Sequence, residues 1–126
     1  MEKIKADVKN YRDLVVWQLG VKLAEEIYSL TAKLPRHEVY GLADQLRRAS
    51  VSIPSNIAEG QARRSVADFR RHLFIALGSL AEVDTQLVLA QEFGYLTTND
   101  MSTVNELIIE LRKKIHALIN NLPSQL

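Results

Sequence analysis

The stretch LRRASVSIPSNIAEGQARRS, residues 46–65, combines helical spacing with an unusual choice of polar side chains. Its apolar and small residues recur three or four apart, which predicts a helix with one buried face. These residues are Leu46, Ala49, Ile53, Ile57 and Gly60. Small polar side chains fill the space between two arginine pairs, and Pro54 stands in the middle. The stretch therefore predicts a helix that packs closely on a neighbour along a polar stripe.

Three further segments have the same period, and none alternates with the period of a strand. The predicted helices span residues 13–34, 41–61, 65–93 and 98–121. Pro35 and Gly94 are expected to end the first and third helices, Ser65 to open the third, and Thr97 or Thr98 to cap the fourth. Short connections favour antiparallel neighbours. We therefore predict an all-α fold, an antiparallel up-down-up-down four-helix bundle.

Length and composition limit the class of protein. A chain of 126 residues predicts one domain, residues 1–126, with a core large enough to fold without disulfides, and it contains no cysteine. The apolar runs LVVW and LFIAL are too short to span a bilayer, and MEKIKADVKNYRD lacks the apolar core of a signal peptide. Sixteen basic and fifteen acidic side chains give a net charge of +1. We expect a cytoplasmic protein without a membrane partner.

Polar residues form one stripe beside the apolar face on the second helix and another on the third. Because they are small or charged, they predict a close contact, either inside the bundle or between subunits. The predicted oligomer or packing contacts are Arg48, Ser52, Ser55, Asn56, Glu59, Gly78, Ser79 and Glu82.

Pro54 is expected to kink the second helix, because proline removes a backbone hydrogen bond and crowds the carbonyl of Ser50. The hydroxyl of Ser50 or Ser52, or a water, would then satisfy that carbonyl. The alternative is a break whose exposed backbone groups help to form a binding site.

Basic side chains occur in pairs, which favours contact with phosphates when the pairs repeat in an assembly. The candidate nucleic-acid-binding residues are Arg47, Arg63, Arg64, Arg70 and Arg71. The alternative is that these arginines and Arg48 pair with Asp44, Glu59, Asp68 and other nearby acids on a solvated or interface surface.

Signatures of catalysis are missing from the sequence. The three histidines, His37, His72 and His116, lie in different segments, and no Glu-x-x-His pair is present. We predict that Asp68 and His72, four apart, form a surface ion pair near a helix start. No phosphate-binding or dinucleotide-binding glycine motif occurs. We therefore predict no enzyme activity, no catalytic residue, no metal site and no cofactor.

The segments YGLADQLRRASVSIPSNIAEG, FRRHLFIALGSLAEVDTQL and EFGYL resemble the bacterial family of four-helix-bundle proteins encoded in intervening sequences of 23S rRNA genes. The resemblance covers residues 11 to about 122. It implies a four-helix bundle assembled as a homopentamer, with a role around RNA and no established catalytic activity. The family motifs fall on residues 46–49 and 56–60 and on Ala76, Gly78, Ser79 and Glu82, where they look like packing and assembly positions.

A more distant resemblance is to the accessory variability determinant of diversity-generating retroelements. That protein is a strongly basic homopentamer that works with a reverse transcriptase and nucleic acid, whereas the present chain has a net charge of +1.

Two functional hypotheses follow. The first is a non-enzymatic, oligomeric accessory protein that binds RNA or DNA through arginine contacts to phosphates. The second is a homo-oligomeric scaffold that binds another protein and has no nucleic-acid role.

Overall fold

The computed structural model describes residues 10–124. Four α-helices make up most of it: α1 Val15–Thr31, α2 Leu42–Ala62, α3 Val66–Glu92 and α4 Thr98–Asn121. Short 3₁₀ helices at Tyr11–Asp13 and Arg36–Glu38 precede α1 and α2. No strand occurs within residues 10–124. The predicted all-α, four-helix fold is confirmed.

Side-chain caps set the helix ends that the sequence predicted. The Ser65 hydroxyl accepts a hydrogen bond from the Asp68 backbone N–H at the start of α3. At the start of α4, Thr97 and Asp100 form a reciprocal capping box. Gly94 follows α3 with a φ of 81°, a left-handed conformation that glycine adopts without a steric penalty.

The helices α1 and α2 pack side by side in opposite directions. Gly20, early in α1, lies against Pro54 in the second half of α2. Tyr28, near the end of α1, lies under the Arg47 guanidinium, whose Cζ is 5.7 Å from the ring centroid. Residues later in α1 therefore contact residues earlier in α2, so the two helices are antiparallel.

The pairs α2–α3 and α3–α4 follow the same rule. The Ser52 hydroxyl on α2 is hydrogen-bonded to the Ser79 hydroxyl on α3 at 2.8 Å, and Gln45, earlier in α2, accepts a hydrogen bond from Gln86, later in α3. The Arg112 guanidinium on α4 donates to the Asp84 carboxylate on α3 at 3.2 Å. Because Arg70, early in α3, reaches the chain just beyond α4, the ends of α2 and α4 lie with the starts of α1 and α3.

The core lies between the four helices and is apolar. The predicted stripe residues Leu46, Leu80 and Leu111 are each fully buried. Further fully buried side chains come from every helix, among them Leu23, Ile27, Ile53, Leu73 and Ile115. Removal of this apolar surface from water is the main stabilising term of such a fold.

Around Pro54 the structure differs from one expectation. The helix α2 continues across Pro54 from Leu42 to Ala62. The Ser50 hydroxyl donates a hydrogen bond to the carbonyl of Arg47, and the Ser52 hydroxyl is hydrogen-bonded to the Ser79 hydroxyl. Neither hydroxyl is therefore hydrogen-bonded to the Ser50 carbonyl, as had been expected. This happens because a serine hydroxyl reaches a carbonyl one turn behind it more easily than its own. The kink itself stays a prediction.

The helix α3 is unusually apolar for a helix at the surface of a bundle. By length and composition alone it could cross a membrane, with a mean hydropathy of 1.5 over its most apolar 18 residues. The core helix of a soluble bundle has the same properties, and α3 packs against both α2 and α4. However, only 44% of that apolar window is buried.

Candidate nucleic-acid interface

Four of the five candidate arginines lie at the end of the bundle where α2 finishes and α3 begins. Arg63 and Arg64 follow the last residue of α2, and Arg70 and Arg71 lie in the second turn of α3. We call these four residues the arginine cluster. A three-residue turn joins the two helices, so the chain path alone keeps the four side chains near one another.

Arg64 has a backbone conformation that is costly for any residue with a Cβ. Its φ is 57°, and it is the one residue other than glycine with a positive φ in the part of the chain that the structure describes. This position, just past the end of a helix, is where glycine is usually found. A left-handed L-residue costs roughly 1–2 kcal/mol, so an arginine here carries a conformational penalty.

Two arginines of the cluster are committed to neighbours and two are not. The Arg63 guanidinium donates to the Glu59 carboxylate at 2.8 Å, and Arg70 donates to the Pro123 carbonyl at 2.6 Å. Within residues 10–124, Arg64 and Arg71 make no ion pair and both are exposed. Their charges are therefore the ones most open to an anionic ligand.

The Glu59 carboxylate links the cluster to a buried histidine. The hydrogen bond from Arg63, together with the nearby His72 ring, holds the pKa of Glu59 below its usual range. The same bond raises the pKa of Arg63. His72 Nε2 lies 3.5 Å from the Glu59 carboxylate.

The prediction of a surface ion pair between Asp68 and His72 is wrong. His72 is buried, and its Nδ1 lies 2.8 Å from the backbone carbonyl of Asp68 rather than from the carboxylate. The pattern was misleading because a spacing of four residues brings a side chain equally close to the carbonyl of the earlier residue. The bundle then turns the ring inward against Gly60.

Arg47 lies away from the cluster. It precedes Arg63 by 16 residues on α2, a rise of roughly 24 Å. Its guanidinium covers the Tyr28 ring, and its Nε donates to the Thr31 hydroxyl at 3.1 Å. The structure therefore ties Arg47 to α1 at the opposite end of the bundle.

The predicted polar contact is partly internal. The Ser52–Ser79 bond joins α2 to α3, and the Asn56 amide donates to the Ser52 hydroxyl at 3.0 Å. The remaining members of the predicted set lie at the surface: Arg48, Ser55, Glu59, Gly78 and Glu82. Two of the expected ion pairs form on α2, Arg48 with Asp44 and Arg63 with Glu59. Exposed pairs of this kind contribute little to stability.

One further basic side chain lies at the same end. Arg12 adds a charge from the 3₁₀ helix before α1, which contacts α2. Lys113 and Lys114 lie elsewhere, in a groove that Asp13 and Val15 also line, because the Arg112–Asp84 pair places this part of α4 beside the second half of α3. Sequence reasoning did not assign Arg12 to the site, because only the packing of the 3₁₀ helix brings it to this end.

Comparison with known proteins identifies the family of this chain. The model of the 23S rRNA-intervening sequence protein family matches residues 12–117, which include all four helices up to the last turn of α4. The chain belongs to this family. The resemblance that the sequence motifs carry is therefore confirmed for the 23S rRNA-intervening sequence proteins.

A solved structure supports the same assignment. The chain is similar to a crystal structure of a protein with unknown function from the S23 ribosomal protein family of Bacteroides thetaiotaomicron VPI-5482. The two are 28% identical and superpose with a TM-score of 0.77. The likeness covers 83% of this chain and 98% of that one. No curated protein matches the sequence.

Proposed function

We propose that this chain is a non-enzymatic, oligomeric accessory protein that binds RNA and contacts phosphates through Arg63, Arg64, Arg70 and Arg71. The observation that carries the proposal is the gathering of these four side chains at one end of the bundle, where the side chains of Arg64 and Arg71 make no hydrogen bond or ion pair within residues 10–124. Guanidinium groups bind phosphate oxygens with two parallel hydrogen bonds, which suits this role.

The charge at this end supports the proposal, although the whole chain is nearly neutral. Among residues 10–124, five basic residues lie there, and three acidic residues accompany them. The basic residues are Arg12, Arg63, Arg64, Arg70 and Arg71, and the acidic ones are Asp13, Glu59 and Asp68. A local excess of positive charge attracts a polyanion even where the net charge is only +1.

The conformation of Arg64 points in the same direction. A strained residue persists where the surrounding fold holds it, and such residues concentrate at functional sites. Glycine would relieve the strain at Arg64, whose φ is 57°. An arginine at this strained position is therefore accounted for if its side chain binds a ligand.

Contacts of this type do not read bases. Phosphate contacts position a protein on nucleic acid, whereas sequence is read at base edges. We therefore expect binding that tolerates changes in RNA sequence and weakens steeply with salt. In a ring of subunits, such as the homopentamer that the family resemblance implies, the cluster would repeat around one face and its weak contacts would add up. In this proposal the protein works in the cytoplasm and not at a membrane.

The experiment is fluorescence anisotropy of a labelled structured RNA and a matched DNA duplex, titrated at low and at physiological salt. The test variant carries Arg64→Gln and Arg71→Gln, the two arginines with the fewest internal contacts. The control variant carries Lys22→Gln and Arg36→Gln, which removes two exposed charges elsewhere on the bundle.

For the wild type we expect a log-log salt slope steeper than about −4. The test variant should flatten that slope by about 2, and its affinity should fall by roughly tenfold. The control should bind as the wild type does. Equal losses in the two variants would mean that only total charge matters. No binding by the wild type at low salt would overturn the proposal and favour the protein-binding scaffold.

A further inference from the structure

His72 is a titratable side chain buried beside the arginine cluster. It lies in the second turn of α3, and its side chain is only 4% exposed. Gly60 of α2 packs directly against it, so the ring is held between the two helices. Histidine is the residue whose charge ordinarily changes near physiological pH. A buried histidine next to a ligand site can therefore couple that site to pH.

Both ring nitrogens of His72 face oxygen atoms that accept hydrogen bonds. Nδ1 lies 2.8 Å from the backbone carbonyl of Asp68, and Nε2 lies 3.5 Å from the Glu59 carboxylate. Because a carbonyl cannot donate, the short contact assigns the proton of the neutral ring to Nδ1. The lone pair of Nε2 then points to a carboxylate oxygen, and the two repel each other. A second proton on the ring turns this repulsion into an ion pair.

Glu59 faces two basic groups with one oxygen atom. The Oε2 atom that faces His72 also accepts the hydrogen bond from the Arg63 guanidinium at 2.8 Å. Arg63 is the outer partner, with 48% of its side chain exposed, and His72 is the inner one. A positive charge on His72 repels Arg63 and stabilises the carboxylate from the buried side. Arg63 is then held less firmly and can turn to another anion at a lower cost.

We propose that proton uptake by His72 transfers the Glu59 carboxylate from Arg63 to the imidazolium, and so makes Arg63 available to RNA. The inference rests on the RNA binding proposed above and adds a regulator, the pH. The proton comes from solvent and binds Nε2, and no other covalent bond changes. His72 acts through Glu59, so it is a positioning residue for the arginine cluster.

The direction of the coupling follows from charge. RNA brings phosphates to the cluster and draws Arg63 away from Glu59, and both changes favour a proton on His72. Because linkage is reciprocal, a proton on His72 must also favour RNA. Binding of RNA therefore strengthens as the pH falls. Since one proton is involved, the gain in affinity cannot exceed about tenfold per pH unit.

The other charged groups around His72 come from every element packed near it. Carboxylates and guanidinium groups ordinarily keep their charges between about pH 6 and pH 8. Among the groups of residues 10–124 at this end of the bundle, only histidines therefore change charge over that range. The groups are Asp68, Arg70 and Arg71 on α3, Glu59 and Arg63 on α2, Arg12 and Asp13 on the first 3₁₀ helix, and the exposed His116 on α4.

NMR of the free protein tests the coupling without RNA. We expect the neutral His72 ring to carry its proton on Nδ1, which the nitrogen shifts of the ring report. As the pH falls from about 8 to about 6, the guanidinium signal of Arg63 should move with the same midpoint as the ring. The signal of Arg48, which pairs with Asp44 at the same spacing on α2, should stay still. A neutral ring protonated on Nε2, or an Arg63 signal that does not follow the ring, would overturn the inference.

The consequence for binding is tested by fluorescence anisotropy of the labelled structured RNA at the two pH values and constant salt. The wild type should bind roughly fivefold or more tightly at the lower pH. His72→Gln presents an amide that cannot take up a proton in this range, so its affinity should hardly depend on pH. The control variant carries His37→Gln and His116→Gln, two exposed positions, and should keep the response of the wild type.

A second variant leaves the buried ring in place, in case a change at His72 destabilises the fold. Glu59→Gln alters a side chain that is 55% exposed. Without the carboxylate, Arg63 has no ion-pair partner to leave at either pH. This variant should therefore bind RNA at the higher pH about as tightly as the wild type does at the lower one, and lose most of its response to pH. Circular dichroism and urea unfolding establish that each variant is folded.

Failure of this inference is distinguishable from failure of the proposed function. If the wild type binds RNA equally at both pH values, or if His72→Gln keeps the response of the wild type, the inference is wrong and RNA binding stands. If the wild type binds no RNA at either pH, the proposed function and the RNA part of the inference both fall. The Arg63 signal of the free protein then decides separately whether His72 controls the Glu59–Arg63 pair.

Discussion

Gly60 on α2 lies so close to His72 on α3 that a Cβ added to Gly60 would come within 2.6 Å of the His72 Cβ. No pair of real Cβ atoms approaches so closely, so the two helices could not keep this spacing with any larger residue at position 60. The contact lies one turn from the arginine cluster and helps to hold the start of α3 against the end of α2. It gives a physical reason for the glycine in the segment NIAEG.

We predict that Gly60→Ala lowers the free energy of unfolding by about 1–3 kcal/mol, because the packed helices must move apart or rearrange. The control is Gly20→Ala, another buried helical glycine, whose added Cβ would lie at ordinary contact distances of 3.4–3.5 Å from Pro54 and Ile53. That change should be neutral or stabilising. Urea unfolding followed by circular dichroism measures both. Equal effects would show that helix propensity, rather than the contact with His72, determines the result.

The substitution Arg64→Gly should raise the stability of the fold and lower its affinity for RNA. Glycine relieves the left-handed strain at a φ of 57°, so we expect the variant to be more stable by up to about 1 kcal/mol. Its affinity for RNA should fall, because a cluster charge is lost. Arg64→Ala is the control, since it removes the charge and keeps the strain. If Arg64→Gly and Arg64→Ala unfold at the same urea concentration, the strain at this position is negligible.

The stability of the fold at low pH should depend on the ionisation of Asp100. Hydrogen bonds from Lys33, and from the backbone and side chain of Thr97, lower the pKa of Asp100 from 3.8 to about 2. A carboxyl whose pKa is lower in the folded state stabilises the fold above its unfolded pKa and loses that contribution as the pH falls. The stabilisation should therefore be complete above pH 3.8 and disappear as the pH approaches 2.

Titration of the Asp100 carboxyl by NMR measures this directly. In Lys33→Gln the midpoint should move upward toward 3.8, because the hydrogen bond from Lys33, the largest cause of the lowered pKa, is removed. The Thr97 cap should keep it somewhat below that value. An unchanged midpoint in Lys33→Gln would mean that the ion pair of 2.7 Å does not persist in solution.

Alanine substitutions in the core test the assignment of buried faces. Leu46, Leu80 and Leu111 lie on three different helices and are fully buried, so each substitution should cost about 2–5 kcal/mol. Ile109→Ala is the control, because Ile109 is 64% exposed and its loss should change stability by less than about 0.5 kcal/mol. Costs near zero at all three leucines would contradict the packing described for α2, α3 and α4.

Much of the architecture could be predicted because helices are local structures. The four helices start and end within three residues of the predicted bounds. The capping serine and threonine and the positive φ at Gly94 follow from residues that lie next to one another in the chain. Apolar spacing alone identified the faces that contain Leu46, Leu80 and Leu111. These features depend on interactions between residues a few positions apart, which a sequence displays directly.

The composition of the candidate site depended on packing. Sequence reasoning treated five arginines as one set, yet Arg47 lies with Tyr28 and Thr31 roughly 24 Å along α2 from the others. Arg12 reaches the cluster's end of the bundle from a distant part of the chain, through the 3₁₀ helix before α1. Helical periodicity predicts which face of its own helix a residue occupies. It does not predict which other helix packs against that face.

The sequence by itself determined the helices, their caps, their apolar stripes and the family to which the chain belongs. Tertiary structure alone decided that His72 is buried against Gly60, that Ser52 meets Ser79 inside the bundle, and that apolar side chains of α3 such as Phe74 and Val88 stay exposed. The reason is physical. Backbone hydrogen bonding and periodicity act over a few residues, whereas burial, charge clustering and uncovered surfaces arise only when distant segments compete for the same core.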